Sequence, residues 1–127
     1  MPFVIMVVYF FRVLTQGYGD YRFAVEARHN SWLAEDATAL LQQYKIAWVI
    51  AVSRGRWPYA ENITAKHIYM RFHGPNGQYN SLYPEKSMIE YAGKIQAWQQ
   101  QKYQIWAFFN NDGYALQNAQ QLIHLLK

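Results

Sequence analysis

A chain of 127 residues that is 52% hydrophobic and 18% aromatic is long enough for one domain with a core and too apolar for disorder. It has no cysteine, which excludes disulfides and thiolate metal sites. Its net charge of +4 favours anionic partners such as phosphates and carboxylates, whereas the lack of a Lys/Arg run argues against a dedicated nucleic-acid binder.

The opening segment, residues 1–17, is hydrophobic and atypical. Its apolar run ends at Arg12, short of the ~20 residues of a membrane span. It has neither a charged leader nor a small-residue cleavage site, so a cytoplasmic protein without a membrane partner is expected. Two readings of the segment stay open: the start of a buried strand or helix, or a gene that begins in mid-domain. YRFAVEAR, Tyr21 to Arg28, alternates as a strand does. Ser31 is placed to cap a helix whose apolar face is Leu33, Ala37, Leu40, Leu41 and Tyr44. IAWVIAVS, Ile46 to Ser53, is a near-continuous apolar run, the mark of a parallel strand covered on both sides. SRGRWPYAENITA has Gly, Pro and no helical period, and reads as a long loop. A third strand lies in KHIYMRFHG, centred on His67–Phe72. Pro84 suits the first turn of a second helix, with Met88, Ala92, Ile95 and Trp98 or Gln99 sharing a face. QIWAFFNND supplies the fourth strand, centred on Ile105–Phe109. Asp112 is placed to cap a last helix that buries Leu116, Ala119, Ile123 and Leu126.

This order of strands and helices predicts an α/β fold with a parallel sheet and right-handed crossovers. A barrel and an open doubly wound sheet both fit it. No G-x-G-x-x-G or G-x-x-x-x-G-K-[ST] is present, which weighs against a nucleotide-binding open sheet. The two-residue period of a strand puts Arg22, Ala24, Glu26 and Arg28 on one side of the first strand. It groups His67, Tyr69, Arg71 and His73 on the third, and Trp106, Phe108, Asn110 and Asp112 on the fourth. The polar members gather at the C-terminal ends, where α/β sheets bind ligands.

Glu26, Arg28, Arg71 and His73 are therefore expected to converge there with Asn110, Asn111 and Asp112. Arg28, Arg71 and the Asn110–Asp112 segment are the candidates for holding an anion, and Glu26 and His73 for moving a proton. Each also has a structural reading. Glu26 and an arginine can form an ion pair that organises a barrel layer. His73 can be a satisfied core histidine, and residues 110–112 a turn and a cap. His29 and His67 read as structural. Trp57, Tyr79 and Tyr83 fall in loops at the same end, as the floor of a pocket or as its cover. The loops HGPNGQY and NNDGY contain glycine, and the second opens a helix, an arrangement that attracts anions. No nucleophile, base and orienter stand together, so whether the chain is an enzyme stays open. His73, Glu26 and Asp112 could in principle approach a metal, but no H-E-x-x-H or comparable spacing exists, and neither metal nor cofactor is expected.

AVEARHNSW, AWVIAVSRGRWPY, YMRFHGPNGQY and WAFFNND with GYALQNAQQL resemble the later half of the domain of unknown function 72 (YecE-like) family in order and spacing, from Tyr18 to Leu126. The resemblance implies a TIM-type (β/α) barrel and no activity. Ala27 stands where the family commonly has an aromatic, and Val52 where it commonly has Asp, which puts an acid role there in doubt. A full barrel takes ~250 residues, so the expected architecture is a single partial domain, a half-barrel resembling strands five to eight. It would hold four parallel strands, three helices and one long loop. Its open edges and an inner face bearing Ile50, Trp106 and Phe108 predict self-association or a need for the missing N-terminal half. Three functions are compatible with this: an enzyme-like site for a small anionic substrate, a non-catalytic binding module, or a truncated product that needs a partner.

Overall fold

The computed structural model describes residues 2–127; Met1 lies outside the described residues. The chain opens with helix α1 (Pro2–Gly17), followed by strand β1 (Ala24–Val25) and a 3-10 helix (Asn30–Leu33). Helix α2 (Glu35–Gln43), strands β2 (Ala47–Val52) and β3 (His67–Phe72), helix α3 (Glu85–Gln100), strand β4 (Gln104–Phe109) and helix α4 (Ala115–Leu125) complete it. The sheet has the order β1-β2-β3-β4, and every pairing is parallel, as the alternation of elements predicts. No described helix is long and apolar enough to cross a membrane.

β2 is buried along its whole length, because its AWVIAV run is covered on both faces. On one face Ile50, Val52, Ile68, Met70 and Phe72 form the core with Leu41 of α2, Met88, Ala92 and Ile95 of α3, and Leu122 of α4. Phe72 stacks on Phe109 at 4.5 Å, and the rings of Tyr83 and Tyr91 meet it edge-on. The other face is a trough with Ala47, Val49 and Ala51 along its floor. In register beside them stand Tyr69 and Arg71 of β3, then Trp106 and Phe108 of β4. Small residues on the floor let side chains cross it. His67 Nε2 lies 2.9 Å from the Phe23 carbonyl oxygen, and Arg22 donates to Gln104, at the start of β4. A flat sheet would hold β1 about 14 Å from β4; direct contact across it means that the sheet is curled.

Several elements differ from the sequence reading. Residues 2–17 are a helix, so the described residues hold four α-helices where three were expected. β1 is two residues, not Tyr21–Arg28. It is an edge strand held from one side, and past Val25 Glu26 is drawn inward by its ion pairs. Ser31 caps no α-helix: His29 Nδ1 accepts the Ser31 N–H at 3.1 Å and caps the 3-10 turn, while α2 starts after Ala34 without a side-chain cap. Asp112 does not cap α4, whose preceding residue is Tyr114. The buried face of α4 is Asn118 and Leu122; Leu116 and Ile123 are 72% and 58% exposed. Ile50 lies on the helix-covered face, not in the trough, since it pairs in register with Met70 of the core.

Candidate functional site

At the C-terminal ends of the strands, Glu26 holds three partners with two oxygens. Its Oε1 accepts from Arg28 at 2.6 Å and from Arg71 at 3.0 Å, and its Oε2 lies 3.2 Å from His73 Nε2. Arg71 Nε donates onward to Asn110 Oδ1 at 3.3 Å. The side chains grade outward from His73, fully buried, through Glu26 at 10% exposure and Arg71 at 28%, to Arg28 at 48%. The two guanidiniums outnumber the one carboxylate, and the more exposed of them faces outward.

His73 follows β3 directly, and its buried ring has a depressed pKa. Desolvation is the largest cause; the hydrogen bond and charge of Glu26 oppose it, and the charges of Arg71 and Arg28 reinforce it. A neutral imidazole donates from Nε2 to the carboxylate, which leaves Nδ1 as a buried acceptor with no partner among the described residues.

Two loops wall the cluster. Trp57, after β2, lies under the Arg28 guanidinium at 3.9 Å, a cation–π contact. Its indole N–H donates to the Tyr79 hydroxyl at 3.3 Å, and the Tyr79 ring meets His73 edge-on at 4.8 Å. Arg56, which the strand parity does not select, lies 5.3 Å from the Trp57 ring and 5.2 Å from that of Tyr79, and donates to the Gly77 carbonyl. The loops meet at Gly77, whose φ of 72° favours glycine; a Cβ there would strike the Ser53 carbonyl.

Tyr83 is buried. Its hydroxyl donates to the Val52 carbonyl at 3.0 Å and accepts from Gly74 N–H at 2.8 Å, and burial raises its pKa. Asn118 of α4 binds both ends of the same residue: its Oδ1 accepts the Tyr83 N–H, and its Nδ2 donates to the Tyr83 carbonyl.

Of the residues selected from sequence, Glu26, Arg28, Arg71, His73 and Asn110 come together. Asn111 does not join them: its buried amide donates to the Ser81 carbonyl at 3.0 Å and to Asn118 Oδ1 at 2.8 Å. Asp112 is exposed. Asn118 was missed, and its one sequence signal was the presence of asparagine, a poor helix former, inside a helix. His67 ties β3 to Phe23, and His29 caps its turn. Among the described residues, no three His, Asp or Glu side chains gather as they would around a metal.

The family model "Protein of unknown function DUF72" matches residues 7–127. The match takes in much of α1, which the sequence resemblance left out. Among solved structures, the chain is similar to a DUF72 family protein from Enterococcus faecalis V583, at 20% identity and a TM-score of 0.81. It is also similar to one from Thermotoga maritima MSB8, at 29% identity and a TM-score of 0.79. Each comparison covers 94% of this chain but only 52% and 51% of the other, so the chain spans about half the length of these relatives. No curated protein matches it.

Proposed function

The chain belongs to the DUF72 family of unknown function, and from that premise we propose that it holds a small phosphate- or carboxylate-bearing ligand at the C-terminal ends of its strands. The observation that carries this reading is the convergence of Arg28 and Arg71 on the single carboxylate of Glu26. With His73 neutral, one positive charge is left over beside the trough. Arg28 and Arg71 would take the anion's oxygens, by charge-assisted contacts that can be bidentate. Asn110 holds Arg71 from behind. In a catalytic version Glu26 and His73 pass the proton. A second reading, a binding module without chemistry, draws support from Glu26, whose two oxygens are both engaged. In either reading the chain is half of a barrel, and the other half walls the open side of the site.

Phosphate titration by calorimetry or NMR tests the proposal. Arg71→Ala is expected to cost roughly 1.5–3 kcal/mol of binding, the range for a hydrogen bond to a charged group. Arg71→Lys restores only part, since it lacks the planar fork. Lys102→Ala, at the opposite end of β4, changes nothing. Equal binding by Arg71→Ala and Lys102→Ala would sink the proposal and leave Glu26 and Arg71 as a structural pair.

A further inference from the structure

Exposed apolar side chains occur along both open edges of the sheet and in the trough between them, besides Tyr59, Leu82 and Ile89 elsewhere. At one edge, α1 is seated through Phe11, whose ring meets Trp32 and Tyr44 on either side of α2. The outer face of α1 carries Met6, Tyr9, Phe10 and Val13 at helical spacing, all exposed. At the other edge α4 exposes Leu116 and Ile123, and the trough exposes Trp106 and Phe108. β1 and β4 each have one strand neighbour. The chain exposes 8232 Å² in all. A folded monomer of its 15.0 kDa exposes about 7,000 Å². The excess of about 1,200 Å² per chain would give about 2,400 Å² across a pair, within the range of obligate interfaces.

We propose that the partner covering this surface is a second copy of the chain. The copies join head to tail, β4 and α4 of each against β1 and α1 of the other. The strands favour this arrangement, because all run parallel: a twofold axis along the trough sets β4 beside the mate's β1 in parallel, and the same operation closes the second edge. Pairing like edges would leave two strands bare. The curl of the sheet also favours it, since two facing troughs close into one ring. The pair would bury the α1 stripe against Leu116 and Ile123 of the mate, and would bring Trp106 and Phe108 into a shared interior.

The chain has no cysteine, so single engineered cysteines report on the edges without interference. Ala24→Cys lies exposed on β1, and Lys102→Cys exposed just before β4. Co-expressed and treated with a bismaleimide, the two variants are expected to give a crosslinked pair; either alone gives none. Ultracentrifugation of the unaltered chain at micromolar concentration is expected to show a dimer. Phe10→Asp and Trp106→Asp, checked for folding by circular dichroism, should each weaken it by about 100-fold. A monomer, an open polymer, or crosslinking of one variant with itself would overturn the proposal. So would a chain that dimerises only with a separately supplied half-domain. If the aspartate variants fail to fold, the crosslinking result and the mass of the unaltered chain decide.

Discussion

His73 shows at the level of one residue how burial and charge compete. Its folded pKa lies below the ordinary 6.5, chiefly because the ring is desolvated. Below 6.5 the unfolded chain therefore binds a proton that the folded chain refuses. The stability contributed by the neutral ring is complete above about pH 6.5 and is lost as pH falls through the folded pKa. Urea unfolding at several pH values between 5 and 7.5 should show this loss in the natural chain and a shallower one in His73→Gln. An identical slope in both would assign the loss to other groups. Glu26 works against desolvation, so Glu26→Gln should lower the His73 pKa further, as read from its ring proton shifts by NMR. A rise instead would mean that the carboxylate does not face Nε2. Strand parity made these two residues legible, because the polar groups of β3 and of the segment after β1 alternate with apolar ones. It did not make Asn111 legible, because parity ends with the strand and the chain turns after Phe109.

At the scale of elements, α4 departs most from its sequence. Hydrophobicity alone favours a face of Leu116, Ala119, Ile123 and Leu126. The helix is instead rotated so that Asn118 enters the interior and binds Tyr83 and Asn111. A buried amide whose own oxygen and nitrogen are both engaged outweighs the exposure of two aliphatic side chains, because breaking it would leave several polar groups unpaired in the core. Asn118→Ala should cost about 2–4 kcal/mol of stability by urea unfolding, in proportion to the groups it strands. A loss below about 1 kcal/mol would show that the network is not what orients α4. The loops after β2 and β3 make a similar test. Gly77→Ala meets both an unfavourable φ and the Ser53 carbonyl, whereas Gly55→Ala, with φ of 81°, meets open space. The first should cost roughly 1–3 kcal/mol and the second about 1 kcal/mol or less. Equal losses would mean that the loops yield without resistance.

For the whole molecule, the proposed pair links folding to concentration. If the folded unit is a dimer, mass action stabilises it as the chain is concentrated. Over a hundredfold range of concentration, Tm should rise by about 3–8 °C, a stabilisation of roughly 1.4 kcal/mol per chain spread over a domain of this size. A Tm independent of concentration over that range would indicate that each chain folds alone.

The sequence by itself determined the strand positions of β2, β3 and β4, the parallel order of the sheet, and the set of charges at its C-terminal end. Those properties follow from local periodicity and from apolar runs too continuous for a half-exposed strand. Only the tertiary structure decided the length of β1, the rotation of α4, the helix at residues 2–17 and the separation of Asn111 from the charge cluster. Each depends on a partner distant in sequence: Arg71 and His73 for Glu26, Tyr83 for Asn118, and Trp32 and Tyr44 for Phe11. Periodicity tells which side of an element is apolar. It does not tell which buried hydrogen bond or ion pair will override that side once the chain has closed on itself.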